Sequence, residues 1–272
     1  NAHLQAFEEL QDTFSKNDNA LIVLAPRNGK VFTPDTLAAV ADVTERAWLT
    51  PFSIRVDSLT NFQHTTASGD DLEVAPLVQD VQTLTDDDLS HIKTVALAEP
   101  ALISRLISSD ARITAINITV ELPGIDEAIE NPKVAAAVRE LRDYVESAYP
   151  ELDVYLTGIV MMNQAFQEAA ISDTTQLIPA ALAIILLMVF LQLRGLTGML
   201  GSFIVIILSV IAAMGTAGWI GIRLTPPSMS APTIILTLAV ADCVHILSNW
   251  LQKVRDGLGK QAAMAQSIRI NF

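Results

Sequence analysis

The chain has 272 residues, 51% of them hydrophobic and 17% charged, with a formal net charge of −13 and a positive mean hydropathy. Residues 1–176 carry 28 acidic and 11 basic side chains, a net of −17, whereas residues 177–272 carry 2 acidic and 6 basic, a net of +4. That split excludes a single globular domain in one environment. The acidic part argues against nucleic acid or an anionic lipid surface as its partner, and a single cysteine, Cys243, excludes an intrachain disulfide.

The opening at Asn1 on polar, helix-like sequence and the stop at Ile270-Asn271-Phe272 read as an internal piece of a larger polypeptide. No signal-peptide pattern is visible. Ala20 to Ala25 (ALIVLA) predicts a buried strand. Pro34 to Leu49 predicts a helix, with Thr33 as N-cap, Pro34 at the first helical position, and Leu37, Val40, Ala41 and Thr44 on one face. Phe52 to Leu59 alternates like a strand. Residues 60–85 are polar and read as irregular. Thr85-Asp86-Asp87-Asp88 predicts a capped helix over 86–98, and another helical turn is expected over Ala101 to Ile107. Ala111 to Leu122 alternates as a long strand. Lys133 to Ala148 predicts a helix with Val134, Val138, Leu141 and Val145 as its apolar stripe, and Asp153 to Thr157 a last strand. The order β-α-β, insertion, β-α-β gives an α+β ferredoxin-like arrangement for an outer domain over residues 1–176. The acidic run 86–88 reads as helix capping on a solvated face rather than a cation site. His64 and His91 are lone histidines without ligand spacing. Residues 158–176 lack turn residues and predict a helix running directly into the next segment.

Residues 177–251 hold three apolar segments, at about 177–193, 199–222 and 232–251. At about 1.5 Å of rise per residue each can cross a hydrocarbon core of about 30 Å, the first only just. They predict a bundle of three transmembrane helices. The second is rich in small residues, among them Gly201, Ser202, Ser209, Ala213 and Gly218, which let helices approach closely in lipid. Arg194 and the basic residues Lys253, Arg255, Lys260 and Arg269 fall on one side by alternation, so that side reads as cytoplasmic and residues 1–176 as lying outside. Arg223 to Pro227 is the expected short outer loop. Residues 252–272, with Leu251, Val254 and Leu258 at helical spacing, read as an amphipathic cytoplasmic connector, either lying along the inner surface or serving as a plain link.

Asp242 sits near the middle of the third segment, PTIILTLAVADCVHILSNWL. A charge at that depth is disfavoured by roughly 2.5–3.5 kcal/mol on insertion scales. Such a residue faces a protein interior or a watery path. His245 and Asn249 follow at three and seven residues, so all three share a helix face.

An outer ferredoxin-like domain followed by a membrane helix and two more, the third with a central acid, resembles the first half of resistance-nodulation-division (RND) transporters, closest to the MmpL-like and hydrophobe-exporter branches. The most specific match is LAVADCVHILSNW at 238–250, similar to the family's fourth membrane helix. Leu238 stands where many relatives carry glycine, and Cys243 where many carry tyrosine. The resemblance implies a secondary active transporter, not an enzyme. It implies a multi-pass protein of the bacterial inner membrane, with residues 1–176 as a periplasmic porter domain and the three segments as transmembrane helices two to four. It implies proton-driven export of hydrophobic or lipid-like cargo, with Asp242, His245 and Asn249 in a proton relay. For His245 and Asn249 a plain hydrogen bond to a neighbouring helix remains an equal reading. Expected partners are the bilayer, the cargo and the remaining half of the polypeptide. A homo-oligomer and a periplasmic carrier or adaptor are open, and no cofactor, metal or nucleic acid is implied. Lipid- or sterol-sensing modules and protein-translocation accessories of the same superfamily are the rival readings.

Overall fold

The computed structural model describes residues 3, 5–6, 9–10, 18–68, 71–193, 196–222, 228 and 230–271. The chain divides into two compact units, Asn1–Ala165 and Phe166–Phe272. The first is a mixed α/β unit with antiparallel sheets. Its main sheet is built from β1 (Asp18–Pro26), β2 (Ser53–Asp57), β5 (Thr114–Val120) and β6 (Leu152–Thr157), in the spatial order β2-β5-β1-β6. Every neighbour pair is antiparallel, and Ile22 of central β1 stands opposite Ile116 on one side and Leu156 on the other.

Strict alternation in β1 sets the core. Ala20, Ile22 and Leu24 are fully buried, while the residues between them are half-buried. Helices α1 (Pro34–Ala47) and α3 (Glu127–Ala148) cover this face with Val40, Val43, Val134, Val138 and Val145. Burying each such side chain contributes about 1.5–3 kcal/mol. Helix α1 begins where its cap predicts: the Thr33 hydroxyl oxygen accepts from the Thr36 N–H at 3.3 Å, with Pro34 just inside. A polar clasp fastens α1 to the end of α3. Asp42 Oδ2 accepts from the Tyr144 hydroxyl at 2.8 Å and the Tyr149 hydroxyl at 3.1 Å, and its Oδ1 accepts from Arg46 Nε at 2.9 Å.

A second cluster, with Val31, Leu37, Leu59, Ile92, Leu102 and Ile107 buried, lies under the insertion that carries α2 (Asp86–Ala98). A capping box starts α2. The Thr85 hydroxyl accepts from the Asp88 N–H, and the Asp88 carboxylate accepts from the Thr85 N–H and hydroxyl. The hydroxyl bond holds the Asp88 carboxyl below its usual range. Asp86, Asp87 and Asp88 thus fill the first turn, where acids suit the helix dipole.

Four expectations are corrected. Residues 60–85 contain an antiparallel hairpin, β3 (Gln63–Ser68) and β4 (Asp71–Pro76), with Thr65 opposite Val74 and Ala67 opposite Leu72. Polar composition concealed it, although Leu72 and Val74 do alternate. Residues 101–107 form turns rather than helix, because Ser104 takes a positive φ of 59° that a helix does not allow. The fifth strand starts at Thr114, not Ala111. The Ser108 hydroxyl accepts the N–H groups of Arg112 and Ile113, which are then lost to the ladder. Helix α3 begins at Glu127, six residues before Lys133, and tolerates Pro132 near its start. The Glu130 carboxylate accepts from the N–H groups of Asp126, Gly124 and Ile125 at 2.9–3.1 Å, which orders the entry to the helix. Those bonds, the one from Asp126 foremost, hold its carboxyl below the usual range.

Gly158 joins β6 to the next helix at φ +103°, and a Cβ there would lie 2.6 Å from the Asn19 carbonyl oxygen, so only glycine fits. Helix α4 (Ile159–Ser172) then continues through a π-helical turn, Asp173–Leu177, into α5 (Ile178–Leu193). The helix predicted over 158–176 is therefore present and runs unbroken into the first apolar segment.

The second unit holds α5, α6 (Leu196–Trp219), α7 (Ala231–Arg255) and α8 (Lys260–Asn271). Three helices, Ile159–Leu191, Gly198–Trp219 and Ala231–Arg255, are long and apolar enough to cross a membrane. Arg194 and the expected outer loop 223–227 lie outside the described residues. The tail is not a single extension of the third segment. Helix α7 continues to Arg255, Gly257 turns at φ +95°, and α8 follows.

Candidate functional site

Helix α7 carries Asp242, His245 and Asn249, and its packing decides which way they face. Leu236, Ala239, Val240 and Cys243 form its packed seam, against Ile206 and Val210 of α6 and Ile178, Leu182 and Ile185 of α5. Cys243 is buried as a small packing residue. At about 100° per residue, Asp242, Asn249 and His245 lie roughly 100–160° around the helix from Cys243. Asp242 and His245 are accordingly exposed and Asn249 half-buried. The three share a face, but the structure does not bond them to one another. Among the described residues, Asp242 and His245 show no hydrogen bond or ion pair. Asn249 Nδ2 donates to Asn271 Oδ1 of α8 at 3.4 Å.

The sequence-predicted site is thus a polar stripe on a face that α5 and α6 leave uncovered. An uncovered carboxylate within a membrane-length apolar helix is costly in lipid, so the stripe needs water or further protein beside it. The packed seam is apolar. The contrast between the two faces of one helix is what marks the stripe as more than packing.

The contact from Asn271 is a feature that reading the sequence missed. Residues Ala263, Ser267 and Asn271 recur every four positions on α8, with Ala263 and Ser267 fully buried. A small-polar stripe at helical spacing was the available signal. Leu251, Val254 and Leu258, the apolar residues at helical spacing, lie instead on α7 and in the turn after it.

Elsewhere, a cavity of about 400 Å³ in the mixed α/β unit sets Lys30 and Lys93 against Asp86 and Asp110. Its charges balance, and it offers no selective chemistry. Among the described residues, no three or more His, Cys, Asp or Glu are grouped to hold a metal ion.

A mixed α/β unit and three helices of membrane-crossing length, the last with a carboxylate on an uncovered face, define an integral membrane protein. The chain belongs to the MMPL family, whose model matches residues 3–269. Its members are RND-type membrane transporters rather than enzymes. Comparison with curated proteins gives no match.

Proposed function

We propose that this chain is part of a proton-motive-force-driven exporter of hydrophobic or lipid-like molecules in the bacterial inner membrane. The observation that carries the reading is Asp242, placed inside a 25-residue apolar helix and turned away from α5 and α6. A carboxyl at that depth, with water or further protein beside it, can take a proton from one side and release it to the other. His245 and Asn249 extend the stripe by two helical turns and are proposed as the rest of the relay. One charge moved across the membrane supplies about 2.3 kcal/mol per 100 mV, enough to bias a two-state transporter when a few protons are coupled.

The mixed α/β unit is read as a ferredoxin-like porter domain on the periplasmic side. Two β-α-β passages and the strand order β2-β5-β1-β6 support that reading. The uninterrupted helix from Ile159 through Leu191 is the proposed link between cargo handling and proton movement. The remaining half of the polypeptide is proposed to cover the Asp242 face. The test is transport by the full-length protein in liposomes with a labelled lipid or hydrophobic dye. Cargo movement that rises with an imposed proton gradient and stops with an ionophore supports the proposal. Cargo that binds without moving favours a lipid-sensing module instead.

A further inference from the structure

Helix α8 is docked on the relay-bearing end of α7 by three hydrogen bonds. Trp250 Nε1 of α7 donates to the Lys260 carbonyl in the first turn of α8 at 3.1 Å. In the middle of α8, the Ser267 hydroxyl donates to the Ile246 carbonyl at 2.6 Å. At the end, Asn271 Oδ1 accepts from Asn249 Nδ2, while Asn271 Nδ2 is fixed on the Ser267 carbonyl at 2.8 Å.

The Ser267 bond is unusual for its surroundings. Ser202, Ser209, Thr216 and Thr237 each donate to the carbonyl four residues earlier in their own helix. That is the usual outlet for a hydroxyl in an apolar helix. Ser267 has the Ala263 carbonyl in the same position, yet it donates across to α7, one residue beyond His245. It is fully buried while doing so, as is Ala263, which lets the two helices approach closely. A surface-lying connector has no need of such a contact. Polar side chains on facing helices act instead as a specific fastening between them.

We propose that α8 is a positioning element of the relay. In this arrangement Ser267 and Asn271 hold the C-terminal half of α7 so that Asn249 stays in line with Asp242 and His245. Neither residue is a proton carrier itself. Ser267 fixes the α7 backbone beside His245, and Asn271 fixes the Asn249 side-chain amide, which must present its carbonyl oxygen to whatever passes along the stripe. The charged and titratable groups on these helices are Asp242, Cys243, His245, Lys253 and Arg255 of α7 and Lys260 and Arg269 of α8, with Asp256 in the turn between them, while α5 and α6 carry none. The inference rests on the proton-relay reading.

The test is a double-mutant cycle in the full-length protein in liposomes under an imposed proton gradient. It compares Asn249→Ala, Asn271→Ala, the pair together, Ser267→Ala and Asp242→Asn. A net side-chain hydrogen bond corresponds to about a two- to tenfold effect. Asn271→Ala and Ser267→Ala are expected to slow transport within that range and to displace the pH of half-maximal transport. The pair should be no slower than Asn249→Ala alone, because both remove one contact. A purely structural role for α8 would lower the amount of folded protein and leave the pH profile in place, and that result overturns the inference. So does a fully additive cycle. Retained transport by Asp242→Asn overturns the relay itself, and the positioning role with it. Loss in Asp242→Asn alongside wild-type behaviour of both α8 variants overturns only the positioning role. Should Ser267→Ala fold poorly, oxidative cross-linking of Asn249→Cys with Asn271→Cys reads the docking directly. Absence of the cross-link in the folded protein also counts against the inference.

Discussion

The two units of this chain hide their apolar residues in different solvents. In the mixed α/β unit, β1 buries every second residue and the valines of α1 and α3 close over them, so the core is complete within the unit. In the helical unit, Ile184, Leu187, Met188 and Leu208 are more exposed than covered, and the buried seam is only a few side chains deep. The first pattern satisfies water outside and hydrocarbon inside. The second is satisfied only when lipid or further helices lie against it. An exposed leucine therefore means different things at Leu49 and at Leu208, and an exposed Asp242 is the anomaly in its unit while an exposed Asp87 is ordinary in the other.

The comparison can be broken most easily in the core. Ile118→Ala should destabilise the mixed α/β unit by about 2–5 kcal/mol, the range for a fully buried isoleucine. The matching change Leu208→Ala on α6 should shift stability far less. Denaturant unfolding of the detergent-solubilised chain, followed separately in the two units by hydrogen exchange, would show this. Equal effects would dissolve the distinction. Gly158→Ala comes next. Its positive φ and the close Asn19 carbonyl should together weaken the unit by about 1–3 kcal/mol, visible as a lower unfolding midpoint. Asp42→Ala leaves the Tyr144 and Tyr149 hydroxyls without their shared acceptor and should weaken the unit by about 1–3 kcal/mol in the same assay.

The smallest expected effect is a pH dependence confined to the mixed α/β unit. Burial, and then the bond to Asp42, push the Tyr149 hydroxyl up to about 12, above the value of about 10 for an unfolded tyrosine. A raised folded value means the folded state holds this proton more tightly. The contribution is therefore fully present below about pH 10 and is lost as pH rises towards 12. Tyr149→Phe should flatten that part of the stability curve. An unchanged slope between pH 10 and 12 would count against the clasp.

Local signals with one physical reading were legible in advance. The Thr33 cap, the Thr85 capping box and the Val134-Val138-Leu141-Val145 stripe all appear where their spacing put them. The helix through 158–176 was legible too, since nothing in it favours a turn. The hairpin at 63–76 was not, because its threonines and acids resemble loop composition and its pairing is a relation between strands. The early start of α3 was hidden by Pro132, whose usual effect is to end a helix. At the candidate site, Asp242 announced itself by charge in an apolar stretch, and the shared face followed from helical spacing. The link from Asn249 to Asn271 could not be read, because helical periodicity says which residues share a face but not which helix arrives beside it. The outward turn of Asp242 had the same obstacle, since it depends on Cys243, rather than its neighbours, being the residue that packs.

The most direct measurement is gradient-driven cargo transport in liposomes by the full-length protein, comparing wild type with Asp242→Asn, an uncharged side chain of nearly the same shape. The account predicts that transport in the variant falls to the level seen without a gradient, while folding and cargo binding persist. Transport that continues at the wild-type rate, with the same dependence on the gradient, would contradict it.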